Sequence, residues 1–191
     1  MIQLETQRLK IRPFILEDLE AIHAILDAGF GDGSLAQDTA ALAERRSWLQ
    51  WSILSQEWLP KMHQPPYGDL AVVLKASQEI IGSVGLVPCL NIFDQIPALR
   101  LGKSAQNYYR PEVGLFWVID EKHRGRGYAT EAGQAMIDYA FNEMHLGRLV
   151  ATTEYDNLTS QAVMRRLGMT LHRNPQPDPP WLQVVGLLEL D

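Results

Sequence analysis

Apolar and polar positions follow two different periods along the 191-residue chain, and each change of period marks an element. Leu4 to Arg12 reads as a strand ending at Pro13. Leu16 to Leu26 reads as a helix, with Glu17 and Asp18 in the first turn, where acidic side chains suit the helix dipole. Asp38 stands where it can cap a second helix running to about Gln56, with Leu42, Leu49 and Ile53 along one face and Trp48 and Trp51 to the side. Leu70 to Lys75 and Glu79 to Leu86 pair as strands around Ala76-Ser77-Gln78, a hairpin. The stretch from Pro88 to Pro111 has three prolines, two asparagines and Gly102. It is long for a connection in a compact domain, and so is a candidate functional loop.

Val113 to Ile119 is apolar on both faces, as in a strand covered on both sides. A helix from Tyr128 to Met144 follows. Ala129, Ala132, Met136, Ala140 and Met144 form one stripe, with Ile137 and Phe141 beside it and Gly147 just past the end. Arg148 to Glu154 is the next strand, Asn157 to Leu167 a short helix stopped by Gly168, and Leu182 to Leu190 a final strand after a turn from Pro175 to Pro180. Helices alternating with strands, without an internal repeat, predict an α/β layer arrangement. With 46% apolar residues and no linker or charge block, the chain reads as one domain, residues 1–191.

Charge narrows the functional classes. A net charge of −6 argues against nucleic-acid binding through the whole surface, whereas Lys122, His123, Arg124 and Arg126 make a local positive spot suited to a small anionic ligand. The N-terminus lacks the basic and apolar regions of a signal peptide, and no apolar run approaches the ~18 residues of a membrane span, so a soluble cytoplasmic protein with no membrane partner is expected. Cys89 is the single cysteine, which rules out an intrachain disulfide and reads as a passive apolar residue. The five histidines show no metal-ligand spacing, and no metal site is expected.

The most informative segment is Arg124-Gly125-Arg126-Gly127-Tyr128-Ala129-Thr130, between the apolar strand and the helix after it. Glycines at 125 and 127 let backbone amides approach a ligand, the helix directs its positive dipole end to the same place, and the arginines suit phosphate oxygens. No Lys-Ser or Lys-Thr pair follows, as a P-loop requires, and no third glycine stands in register for a dinucleotide fingerprint. A plain strand-to-helix turn flanked by solvated arginines is the remaining alternative. Arg124-x-x-Gly127-x-Ala129 resembles the R/Q-x-x-G-x-G/A acyl-CoA pyrophosphate loop of the GNAT N-acetyltransferase superfamily. Glu112 to Asp120, His123 to Ala132, Asn157-x-x-Ser160 and Leu167-Gly168-Met169 resemble its core in order and spacing. Thr6-Gln7-Arg8-Leu9-Lys10-Ile11-Arg12-Pro13 resembles the opening of the RimJ/RimL-like ribosomal-protein branch.

The resemblance implies a mixed, mostly antiparallel sheet of about seven strands with helices on both faces, whose two middle parallel strands splay around the pantetheine arm. It implies acetyl-CoA as co-substrate, held by Arg124 to Thr130, and an amine acceptor, either a protein N-terminus or a small molecule, attacking directly in a ternary complex. The amine must be neutral to attack, yet a lysine amine has a reference pKa of about 10.4 and an α-amine of about 7.7 to 8.0, so a base or water relay is needed. A backbone N–H must meet the developing oxyanion, and by resemblance it comes from Val118 or Ile119. Glu112 and Glu154 are the candidate bases, each with an ion-paired or solvated glutamate as the alternative. Asn157 caps its helix and, by resemblance, contacts the pantetheine. The family tyrosine acid falls on Met164, leaving Ser160 as substitute, unless that serine simply bonds backbone. Glu131 serves helix architecture. Trp48, Trp51, Trp58, Tyr67, Tyr108 and Tyr109 read as packing, or as walls of a partly apolar acceptor entrance. A non-catalytic acyl-CoA-binding domain and a transferase for bulkier acyl groups are the other readings, and monomer and homodimer both stay open.

Overall fold

The computed structural model describes residues 2–31, 33–35, 37–65, 67–102 and 108–190. Its strands are β1 (Leu4–Glu5), β2 (Leu9–Arg12), β3 (Gly68–Leu74), β4 (Ile80–Asn91), β5 (Arg110–Ile119), β6 (Arg148–Thr153), β7 (Thr170–Arg173) and β8 (Val184–Glu189). The helices are α1 (Leu19–Phe30), α2 (Thr39–Lys61), α3 (Tyr128–Asp138) and α4 (Leu158–Arg166). The sheet is open, mostly antiparallel and eight-stranded, in the order β1-β2-β3-β4-β5-β6-β8-β7. Its parallel neighbours are β5 and β6, which pair at Gly114 opposite Val150. The count agrees with the sheet of about seven strands that the resemblance implies, and the strand that the hydrophobic pattern does not show is Thr170–Arg173. Those four residues hold a single aliphatic side chain, and they become a strand by pairing with β8, His172 opposite Val185.

The chain divides into two compact units, one made of Met1–Leu86 and Phe116–Met136, the other of Val87–Leu115 and Ile137–Asp191. In the first, the expected strand from Leu4 to Arg12 is broken into two. The Thr6 hydroxyl accepts from the Leu9 amide at 2.9 Å, the Thr6 amide donates to the Leu9 carbonyl at 2.9 Å, and the chain turns back so that Leu4 faces Ile11. Helix α1 runs four residues beyond Leu26, to Phe30. Helix α2 begins where expected, since Asp38 accepts from the amides of Ala40 at 2.7 Å and Ala41 at 3.1 Å. It continues past Gln56 to Lys61. Ile22, Ile25, Leu26 and Leu49 pack with Phe14, Ala71, Val73 and Val118, and Leu42 and Ile53 join them from the predicted face. Trp48 closes this core edge-on to Phe14, with ring centroids 5.6 Å apart, while Trp51 and Trp58 are exposed.

In the second unit, β4 extends through Pro88 to Asn91, into the stretch read as irregular, and 3-10 turns follow at Phe93–Gln95 and Pro97–Leu99. Of the candidate loop, residues 103–107 lie outside the described residues. Phe93, Ile96 and Leu99 bury themselves with Val150, Leu182 and Val185, so much of that stretch is core rather than free loop. The predicted helix to Met144 is α3 followed by a π-helical turn, Tyr139–Glu143. Among the described residues no helix is long and apolar enough to cross a membrane.

Candidate active site

The first unit carries the glycine-rich loop. Strand β5 ends at Ile119, and Asp120 accepts from the Lys122 amide at 3.1 Å, starting the 3-10 turn Glu121–His123. Arg124 folds back onto the strand it follows: its Nε donates to the Ile119 carbonyl at 3.0 Å and its Nη1 meets Glu121 at 3.2 Å. Gly125 and Gly127 then take φ values of +76° and +80°, a region that other residues enter only with strain. These two left-handed steps turn the chain directly into α3. The first amide to bond backwards is that of Glu131, to the Gly127 carbonyl at 3.0 Å. No intramolecular acceptor is recorded among the described residues for the amides of residues 125–130, so these donors lie free at the positive end of a helix. Lys122 and Arg126 are exposed, and neither forms an ion pair among the described residues. Such a cradle fits the phosphates of a nucleotide-containing ligand.

A clamp from the N-terminus holds this cradle. Glu131, on the first turn of α3, accepts from the Thr6 hydroxyl at 2.5 Å, the Arg8 amide at 2.9 Å and Arg8 Nε at 2.6 Å. Burial pushes the Glu131 carboxyl up, but the bonds from Thr6 and Arg8 outweigh it and hold the group below its usual range. Arg8 also donates to the Arg126 carbonyl at 3.0 Å and lies over the Tyr128 ring at 4.4 Å. The architectural role read for Glu131 therefore has definite partners. The part played by Thr6 and Arg8 was hidden in an opening motif read only as a family mark. Val118 and Ile119 are buried at the end of β5. Thr130 Oγ1 is buried without a hydrogen-bond partner among the described residues.

The second unit carries the other candidates. Glu112 is held by two arginines: Arg110 Nε at 3.2 Å, Arg148 Nε at 2.8 Å, and a short bond from Arg148 Nη2. Its hydrogen bond with Glu112 is also the main reason the Arg148 guanidinium pKa is raised. Glu112 is thus ion-paired, which is the alternative read for this carboxylate beside its role as a base. Glu154 follows β6 directly and accepts from the Thr153 hydroxyl at 3.2 Å, with no ion pair among the described residues. Asn157 is the N-cap of α4, accepting from the Ser160 amide at 3.0 Å, and the Ser160 hydroxyl has no bond recorded among the described residues. Met164 is fully buried, against the β8 backbone at Gly186, where a side chain would stand 3.1 Å from the Met164 sulfur. Among the described residues, no group of three or more His, Cys, Asp and Glu side chains is placed to hold a metal ion.

Comparison with known proteins places this arrangement in a family. The model of the acetyltransferase (GNAT) domain matches residues 8–170, from the clamp arginine to the start of β7. The uncharacterized N-acetyltransferase YnaD of Bacillus subtilis (strain 168) is 43% identical over 58 residues, a stretch that spans 30% of this chain and 33% of that protein. The ribosomal-protein-serine acetyltransferase of Escherichia coli (strain K12) is 29% identical over 68% of this chain and 70% of its own. The solved structure of an acetyltransferase from Agrobacterium tumefaciens str. C58 superposes with a TM-score of 0.69 at 25% identity, covering 100% of this chain and 95% of that one. The chain belongs to the GNAT acetyltransferase family, whose chemistry is acetyl transfer from acetyl-CoA to an amine. Its relatives include the RimJ/RimL-like enzymes that the opening motif resembles.

Proposed function

We propose that this protein is an acetyl-CoA-dependent N-acetyltransferase, working as one domain, that transfers the acetyl group directly to a primary amine. The observation that carries the reading is the row of amides at residues 125–130 left unpaired among the described residues, opened by two left-handed glycines and flanked by Lys122 and Arg126. The pyrophosphate of acetyl-CoA is the anion this row suits. Asn157 and Ser160 are assigned to the pantetheine end on family grounds, and the amide of Val118 or Ile119 to the oxyanion. Glu154 replaces Glu112 as the proposed base, acting directly or through water, because it lacks the arginines that hold Glu112. The neutral amine nitrogen attacks the thioester carbon, the C–N bond forms, the C–S bond breaks, and the CoA thiolate leaves and takes a proton from water. The proton lost by the amine passes to Glu154. Both a protein N-terminus and a small-molecule amine meet these demands.

Met164 supports a second reading, an acyl-CoA-binding domain without turnover, since a buried thioether stands where the family resemblance implies a tyrosine hydroxyl. Calorimetric titration with acetyl-CoA, followed by a thiol-release assay on a panel of amines, separates the two. Gly127→Glu is expected to weaken acetyl-CoA binding by at least about tenfold, because it strains the loop and puts a carboxylate among the phosphate donors. Unchanged affinity in a folded Gly127→Glu protein would remove the loop from the site, and binding without thiol release would favour the second reading.

A further inference from the structure

The second unit contains a cavity of about 420 Å³ that the loop chemistry leaves unexplained. Strand β4 supplies Leu90 and Asn91 and the residue after it, Ile92. Tyr109 and Trp181 add two aromatic rings, and Thr152 a hydroxyl from β6. Among the described residues, none of the lining is charged. The volume is that of a small-molecule site, which runs roughly 300–1,000 Å³.

Two features separate this recess from an incidental dent. Trp181 is 55% exposed, yet its indole is anchored, Nε1 donating to Asn91 Oδ1 at 3.1 Å. Asn91 is itself buried, and its Nδ2 reaches Cys89 Sγ at 3.3 Å. A large aromatic face is thus held open to solvent by a buried polar side chain, a pre-set wall that loses little freedom when a flat ligand lies on it. Leu90 and Tyr109 are also exposed and extend the apolar surface.

We propose that this cavity receives the apolar, aromatic body of a small primary monoamine, the acceptor of the acetyl group. That it is the acceptor rests on the acetyltransferase reading; that an aromatic body binds here does not. The uncharged lining selects against polyamines, amino acids and amino sugar phosphates, since a second charged group placed in it would lose its hydration and find no partner. A monoamine carries one basic amine nitrogen, and that nitrogen is the atom to be acetylated.

Cys89 is the single cysteine of the chain and lines the same cavity, so it reports occupancy. Its alkylation by N-ethylmaleimide would be followed with tryptamine, indole, spermidine or a short peptide with a free polar N-terminus present, beside calorimetric titration of each. The expected result is that tryptamine and indole bind and slow alkylation at least about tenfold more effectively than spermidine. Trp181→Ala should reduce that protection about fivefold or more, and Trp181→Phe should restore part of it. Circular dichroism shows whether each variant is folded. No heat with tryptamine or indole at millimolar concentration, equal protection by spermidine, or protection by the peptide alone would overturn the proposal. Protection by indole and tryptamine with no CoA released from acetyl-CoA would leave the cavity standing and sink the acetyltransferase reading. CoA release with polar amines and none with tryptamine would do the reverse.

Discussion

Glu131 is the residue that ties the start of α3 to the N-terminal segment. It is three positions inside α3 from the helix start, and it receives bonds from Thr6 and from both the backbone and the side chain of Arg8. Removing its carboxylate leaves those donors without their acceptor and frees the first turn, whose amides are the proposed ligand donors. Glu131→Ala is therefore expected to lower stability by about 2 kcal/mol and to weaken acetyl-CoA binding by roughly three- to tenfold, with Glu131→Gln in between. Denaturant unfolding and calorimetric titration on the same samples check both numbers. A stability loss with unchanged affinity would make the clamp structural only. Glu112 illustrates the opposite outcome at this scale. Its position at the entrance of a central strand suggests chemistry, but Arg110 and Arg148 take up its charge.

At the scale of elements, the strands meet where a glycine permits it. Gly82 on β4 has no room for a side chain, since a Cβ there would stand 2.2 Å from the Val118 carbonyl oxygen and 2.8 Å from Ile119 Cδ1. Gly82→Ala is expected to lower the Tm by at least about 5 °C, corresponding to about 2 kcal/mol or more, because the clash is with backbone that cannot step aside. Gly102→Ala, at a position with open space around it, is the control and should leave the Tm unchanged. Thermal unfolding followed by circular dichroism distinguishes the two. Most elements were legible in the sequence, because they are set by side-chain periodicity and local caps: Asp38 before α2, Asn157 before α4, the aliphatic run of β5. The errors have local causes as well. Thr6 turns the chain within one apparent strand, Pro88 did not interrupt β4, and β7 exists only through its partner.

Across the whole molecule, stability carries a pH dependence that the net charge of −6 does not reveal. Asp69 on β3 has its Oδ1 buried without a hydrogen-bond partner among the described residues, and burial pushes the carboxyl up to about 6 while Arg45 pulls it down. The folded state holds this proton more tightly than the unfolded chain, so the contribution to stability is present below about 4 and lost as pH rises through about 6. Asp69→Asn is expected to be more stable than the parent by on the order of 1 kcal/mol at pH 8, with the gap closing toward pH 4, as read by denaturant unfolding across that range. The sequence alone determined the α/β class, the family and the loop from Arg124 to Thr130, because helix caps, left-handed glycines and unpaired first-turn amides are made by neighbours along the chain. Only the tertiary structure decided that Glu131 is gripped from 125 positions away, that Glu112 is neutralised from 36 away, and that Trp181 is fixed by Asn91 from 90 away. Ion pairs and cavities depend on which side chains converge in space and in which direction they point. The period of hydrophobicity that gives each element its face carries no record of the partner across it.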